Sequence, residues 1–206
     1  GVWTGDALFA LDTLEQFNQD DSLLTGHINF EHVGAFGHSF GGATAAEIAH
    51  DDARVDAAIN MAATMFGEVA DEGLTKPFMM MESELTPPTD AQLEAAGVTR
   101  AEIDQSIQDY KDRVQTVVGT AQPGYRFHLI DSEHNSYSTD MLSIAEKFGA
   151  LIGPSVVGTI EPQHAFDLIS TYVIAFFDQQ LGDDGSTELD DLPGDANVTF
   201  ETFNGA

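Results

Sequence analysis

The sequence predicts an α/β fold in which helices flank a mostly parallel sheet. Three observations lead there. Short apolar runs, "HVGAFGHS", "RVDAAINMA", "KPFMMME" and "GYRFHLI", recur along the chain. Helix-forming stretches separate them, and strand–helix alternation is the pattern of a parallel sheet with crossover helices. The first run passes through Gly-x-Ser-x-Gly straight into the alanine-rich "GATAAEIAH".

Taken in order, the chain opens on a helix. Asp6 is placed to cap it, and Leu8, Leu11, Leu14 and Phe17 recur near helical period before "NQDD" ends it. "HVGAFGHS" then reads as a buried strand ending near Gly37, and "GATAAEIAH" as the helix after it. The second and third runs are strands, and the fourth is entered from Pro123-Gly124. Between the third and fourth lies a polar insertion, residues 85–122, with two capping boxes, Thr89 with Gln92 and Thr99 with Glu102. Its second helix puts Ile103, Ile107, Tyr110, Val114 and Val117 or Val118 on one face, and Gly119 stops it. Such an insert is either a lid over a site or a surface helix pair. "FGALIGPSVVGTIEP" reads as a loop punctuated by Gly and Pro. "HAFDLISTYVIAFFDQQLG" is a nearly all-round apolar helix that packs on a sheet and ends at Gly182. Residues 1–182 thus read as one domain. Residues 183–206 read as an acidic extension in which "NVTFETF" adds an edge strand. The tail does not have calcium-loop spacing.

Composition narrows the function. The 206 residues are 42% hydrophobic, enough for a sizeable core. The formal net charge is -28, from 35 acidic and 7 basic residues. No basic patch is available to neutralise phosphates, so nucleic acid is excluded as a partner, and acidic substrates and anionic membranes are repelled at long range. The acids are spread through "NQDD", "HDDARVD" and "AEIDQSIQDYKD" rather than gathered in a tail. Such a surface repels itself in dilute buffer and is screened by salt, the pattern of a halophilic protein. No apolar stretch is long enough to cross a membrane, and the opening reads as a helix rather than a signal peptide, so either a leader was removed or the chain begins inside a longer fold. With no cysteine, disulfides, thiolate metal sites and a cysteine nucleophile all drop out, while the compartment is left open.

The chemistry centres on Ser39. A bare Gly-x-Ser-x-Gly is a weak signal, but here it lies between a strand and a helix, the arrangement of a nucleophile elbow. Gly37, Gly41 and Gly42 relieve crowding in the tight turn. The Phe40 N–H is placed as one oxyanion donor, reinforced by the helix N-terminus. Phe40, Met65 and Phe66 either line an acyl pocket or belong to the core. Ser39 needs a base, and the order expected in this kind of fold is Ser, acid, His. Four histidines follow it. His50 closes the elbow helix, His128 lies within a strand, and His164 starts the last helix. His134, in "DSEHNSYS" after the fourth strand, faces the same edge as Ser39 and is the base.

"GHSFGGATAAE", "DAAINMAATMFG", "PFMMMESE", "SEHNSYS" and "YVIAFFDQQL" together resemble the platelet-activating-factor acetylhydrolase-like branch of the α/β-hydrolases. That branch merges with dienelactone-hydrolase-like esterases and some polyester hydrolases. The resemblance covers most of residues 1–182. It implies a serine esterase that needs no metal or organic cofactor, with Ser39 as nucleophile and His134 as base. It also exposes two departures. The family's acid follows the strand after the elbow helix, where this chain has Ala62 and no carboxylate until Glu68. The early strands, which supply the second oxyanion donor, are missing, leaving an open sheet edge for a second copy or a partner chain to cover. Other α/β-hydrolases carry the acid after the next strand, where Glu82 and Glu84 stand. Relatives carry a Ser–Glu pair at the positions of Ser83 and Glu84 without using it as the acid, which leaves Glu82 as first choice ahead of Asp131 and Glu133. The expectation is a serine carboxylic-ester hydrolase for neutral esters: short-chain, lipid-like or polyester. The alternative is an inactive or incomplete hydrolase half.

Overall fold

The computed structural model describes residues 1–152, 154–183 and 185–205. Its centre is one five-stranded sheet with strands in chain order. The strands are β1 (Gly34–His38), β2 (Ala57–Met61), β3 (Phe78–Ser83), β4 (Gly124–Leu129) and β5 (Val198–Phe203). β1 to β4 pair in parallel and β5 runs antiparallel on the edge beside β4. The helices are α1 (Val2–Asp20), α2 (Phe40–Asp51), α3 (Val69–Glu72), α4 (Asp90–Ala96), α5 (Arg100–Thr120), α6 (Thr139–Ile152), α7 (Pro154–Val157) and α8 (Pro162–Leu181).

Period-2 alternation splits the core into two layers. Ile59, Met61, Met79, Met81, Phe127 and Leu129 face Tyr172, Ala175 and Phe176 of α8. Ala58, Phe78 and Met80 face Ala46 and Ala49 of α2 and Val114, Val117 and Val118 of α5. β2 is buried along its whole length, as expected of a strand covered on both faces. The all-round apolar α8 therefore has a sheet to bury one flank and β5 residues such as Phe200 to meet another.

Register positions the site. His38, Met61, Met81 and Phe127 form one row across the sheet, so β1 and β2 release the chain at the same edge. On the far side of β1 no strand pairs among the described residues, and Phe36 there is 60% exposed.

Several elements differ from expectation in detail. α1 starts at Val2 with Gly1 as its cap, so Asp6 lies inside the helix. α5 runs one residue past Gly119. The stretch read as a Gly/Pro loop carries the end of α6 and all of α7, with α6 broken at Phe148 (φ -132°, ψ 21°). Both capping boxes form, with the Thr89 N–H donating to Gln92 Oε1 at 2.7 Å and the Thr99 N–H to Glu102 Oε2 at 2.8 Å. The acidic extension is tied down by β5 and by Leu189, which is buried in the α8 layer.

Candidate active site

Ser39 sits at the single residue between β1 and α2 with φ 55° and ψ -131°. A non-glycine residue in that region costs about 1–3 kcal/mol, which its surroundings must hold in place. They do so by bonds on both sides. The Ser39 N–H donates to the Met61 carbonyl at 2.9 Å, and the Ser39 carbonyl accepts from Gly42 N–H at 2.8 Å. The side chain makes no capping bond to the helix it precedes. The next residue, Phe40, opens α2, and N–H groups of a first helical turn have no partner within the helix. Asn60, fully buried, braces the neighbouring loop. Its Oδ1 accepts from Ala63 N–H at 3.0 Å.

His134 begins a single 3-10 turn, His134–Tyr137, after β4. Three bonds bolt this turn down. Tyr137 donates its hydroxyl to the Glu82 carbonyl at 2.8 Å, Ser136 donates to the Val157 carbonyl at 2.8 Å, and His38 Nε2 meets the His134 carbonyl at 2.9 Å. The rings of His38 and His134 lie 4.5 Å apart. His38 immediately precedes Ser39, so the His134 turn rests on the elbow itself. His50, His128 and His164 lie elsewhere: His50 beside Asp51, His128 within β4, and His164 beside Asp195.

Ala62 follows β2 with φ 55°, its N–H donating to the Met81 carbonyl at 2.8 Å. It lines a cavity of about 280 Å³ together with His134, Glu84, Glu133, Thr86 and Tyr110. Glu82 does not reach that cavity. The residue is 6% exposed, and its carboxylate is held by Arg126 on β4 and by the Tyr110 hydroxyl at 2.8 Å. Burial, with the Glu82 charge behind it, pushes the Tyr110 hydroxyl well above the usual tyrosine range. The structure therefore brings Ser39, Phe40 and His134 to one edge and sends the expected third member, Glu82, into the β3–β4–α5 interface. Of the other carboxylates, Glu133 accepts from the Thr86 hydroxyl at 3.2 Å, while Glu84 makes no hydrogen bond or ion pair among the described residues. Asp131 sits at φ 62° and accepts from Asn197.

The family model for platelet-activating factor acetylhydrolase, isoform II, matches residues 14–196. The chain belongs to this family. Its structure is similar to that of a ferulic acid esterase from Streptomyces cinnamoneus, with a TM-score of 0.69 and 27% identity, over 96% of this chain and 53% of that one. The chain thus spans about half the length of that esterase. No curated protein sequence matches it. The fold is that of the α/β-hydrolases.

Beside the elbow, the structure adds Trp3, His38 and Asn60, which the sequence did not single out, and it separates Phe40 and Phe66 from Met65. Phe40 and Phe66 stack at 5.6 Å, and Trp3 lies 6.2 Å from Phe40, forming an exposed aromatic row along a cavity of about 220 Å³. Met65, grouped with them in the sequence, is fully buried and belongs to the core. His38 and Asn60 carried no separate signal, because nothing in a strand sequence says which polar residue will be bonded to a distant loop. Among the described residues no helix is long and apolar enough to cross a membrane.

Proposed function

We propose that this chain carries the nucleophile and base of a serine carboxylic-ester hydrolase. Ser39 Oγ attacks the ester carbonyl while His134 takes its proton. The tetrahedral oxyanion is met by the Phe40 N–H at the positive end of α2. Collapse breaks the bond to the alcohol, which leaves with the proton held by His134. Water, deprotonated by His134, then hydrolyses the acyl-enzyme. The observation that carries this reading is the Ser39 conformation: a serine at positive φ on a strand-to-helix turn, with no capping bond from its hydroxyl.

The third member of the triad is reassigned. With Glu82 engaged by Arg126 and Tyr110, Glu84 supports the role better, because it follows β3, lines the His134 cavity and has no other partner among the described residues. A glutamate there would orient the imidazole and stabilise its charged form, as a triad aspartate does. The substrate is a neutral ester, short-chain, lipid-like or polyester, since a net charge of -28 repels anions. The aromatic row of Phe40 and Phe66 suits an apolar or aromatic acyl group, and the similar ferulic acid esterase agrees with that class.

Fluorophosphonate labelling followed by intact mass tests the reading, in low and in molar salt. The expected result is one adduct per chain that disappears in Ser39→Ala. Folded protein that takes no adduct in either salt overturns it.

A further inference from the structure

His38 is the side chain that touches the proposed base from the nucleophile's own strand. It is the last residue of β1 and half-buried. Its Nε2 is 2.9 Å from the His134 carbonyl oxygen, and its ring is 4.5 Å from the His134 ring at 41°. The Tyr137 ring stacks on it as well, 6.4 Å away at an interplanar angle of 24°. A carbonyl only accepts, so this contact requires the proton of neutral His38 to sit on Nε2. The other bonds of the 3-10 turn hold Ser136 and Tyr137, whereas this one holds residue 134 itself.

We propose that His38 is a positioning residue for His134: its Nε2–H anchors the His134 backbone and its ring backs the His134 imidazole, fixing the base above the adjacent Ser39. The proposal rests on the hydrolase reading above. Physically, the arrangement couples nucleophile and base through two consecutive residues, so a shift of the elbow carries the base with it. Misplacing a reacting group by about 1 Å can cost about a hundredfold in rate. Burial, and next the neighbouring His134, hold the His38 basicity below the ordinary histidine value, which favours the neutral ring. An uncharged neighbour also suits a base that becomes imidazolium during the reaction. The other ionisable groups near His134 are Glu84, Glu133 and Tyr110 in the shared cavity, and Tyr137, whose ring stacks on that of His38.

Two substitutions in the full chain separate the hydrogen bond from the ring. His38→Phe keeps an aromatic ring and removes the donor. His38→Gln keeps a donor and removes the ring. With p-nitrophenyl acetate as substrate, His38→Phe is expected to lower kcat about tenfold to a hundredfold with KM within about twofold, and to shift the acid limb of the pH profile. His38→Gln is expected to recover most of the loss. A His38→Phe enzyme with wild-type kcat overturns the inference, as does equal loss in both variants at unchanged Tm. Imidazole ¹⁵N NMR of the wild-type chain covers the case in which a variant does not fold. It should show His38 as the Nε2–H tautomer with a slowly exchanging proton, and an Nδ1–H tautomer overturns the inference. Wild-type protein whose Ser39 resists fluorophosphonate defeats the hydrolase reading and the inference with it. Labelled wild type with an unaffected His38→Phe defeats the inference alone.

Discussion

The elbow closes because Gly37 and Gly42 leave space for one another. A Cβ on Gly37 would lie 2.5 Å from the Gly41 carbonyl carbon, and one on Gly42 would lie 2.5 Å from Asn60 Oδ1 and 2.6 Å from the Gly37 oxygen. Both neighbours are held, the first as backbone and the second as a buried amide, so neither can move cheaply. Gly42→Ala should cost about 1–3 kcal/mol, the usual range for overpacking, and depress Ser39 labelling beyond the loss of folded protein. Thermal melts beside labelling at a temperature where the variant is folded check both parts. Asp52 supports a different residue-scale test. Hydrogen bonds from Arg54 hold its carboxyl at about 2, below the ordinary value of 3.8. A depressed carboxylate contributes stability that is present above the unfolded value and lost as pH falls through the folded one. Asp52→Asn should therefore melt lower than wild type at pH 7, with the gap narrowing between about pH 4 and pH 2. A gap that stays constant down to pH 2 would show that Asp52 contributes no ionisation energy. Residue identity was legible at Ser39, because its covalent neighbours make the turn. It was not legible at Glu82, although a signal existed. Glu82 shares the strand face of Phe78 and Met80, and that face packs on the helix that carries Tyr110.

Between elements, Glu82 is the clasp that joins β3 to β4 and α5. Its carboxylate is buried, whereas the Arg126 side chain is 31% exposed. Arg126→Met should leave that carboxylate short of a partner and destabilise by about 3 kcal/mol, the low end for a broken buried pair because Arg126 is partly open to water. The rate of Ser39 labelling per folded molecule should stay near wild type. Glu84→Gln should do the reverse, leaving Tm almost unchanged while labelling slows severalfold or more. If Glu84→Gln labels at the wild-type rate and Glu133→Gln does not, the third member is Glu133. The strands and the capped helices were readable because periodicity and caps are local. The insert's inner face was readable for the same reason, and Val114, Val117 and Val118 bury it. α6 was hidden by the Gly and Pro punctuation of "FGALIGPSVVG", and its break at Phe148 interrupts the helical period there. What no local pattern contained was the pairing of His38 with His134, residues separated by 96 positions in the chain.

Across the whole molecule the dominant fact is charge. Thirty-five acidic residues face seven basic ones, and of these Arg54 already serves Asp12, Glu15 and Asp52 at once, while Arg126 is committed to Glu82. Arg100 pairs with Asp90, but seven basic residues cannot match thirty-five acidic ones, so most carboxylates repel one another, which penalises the compact state more than the expanded one. Screening acts over a Debye length of about 10 Å at 0.1 M salt and about 3 Å at 1 M. Repulsion between carboxylates on neighbouring elements should therefore be largely removed in molar KCl. The few surface ion pairs are weakened by the same salt, but each is worth only about 0–1 kcal/mol, and favourable pairs are far outnumbered by like-charge ones. The expected outcome is a Tm that rises steadily from 0.1 M to molar KCl, with most of the gain below 1 M, where the Debye length changes most. Sucrose at matched water activity should reproduce only a small part of it, because sucrose stabilises by exclusion without screening. A Tm that is flat in KCl would mean that the acidic surface is not under net repulsive strain, and the halophilic reading would fall while the site chemistry stood untouched. A Tm that rises equally in sucrose would assign the effect to burial rather than charge.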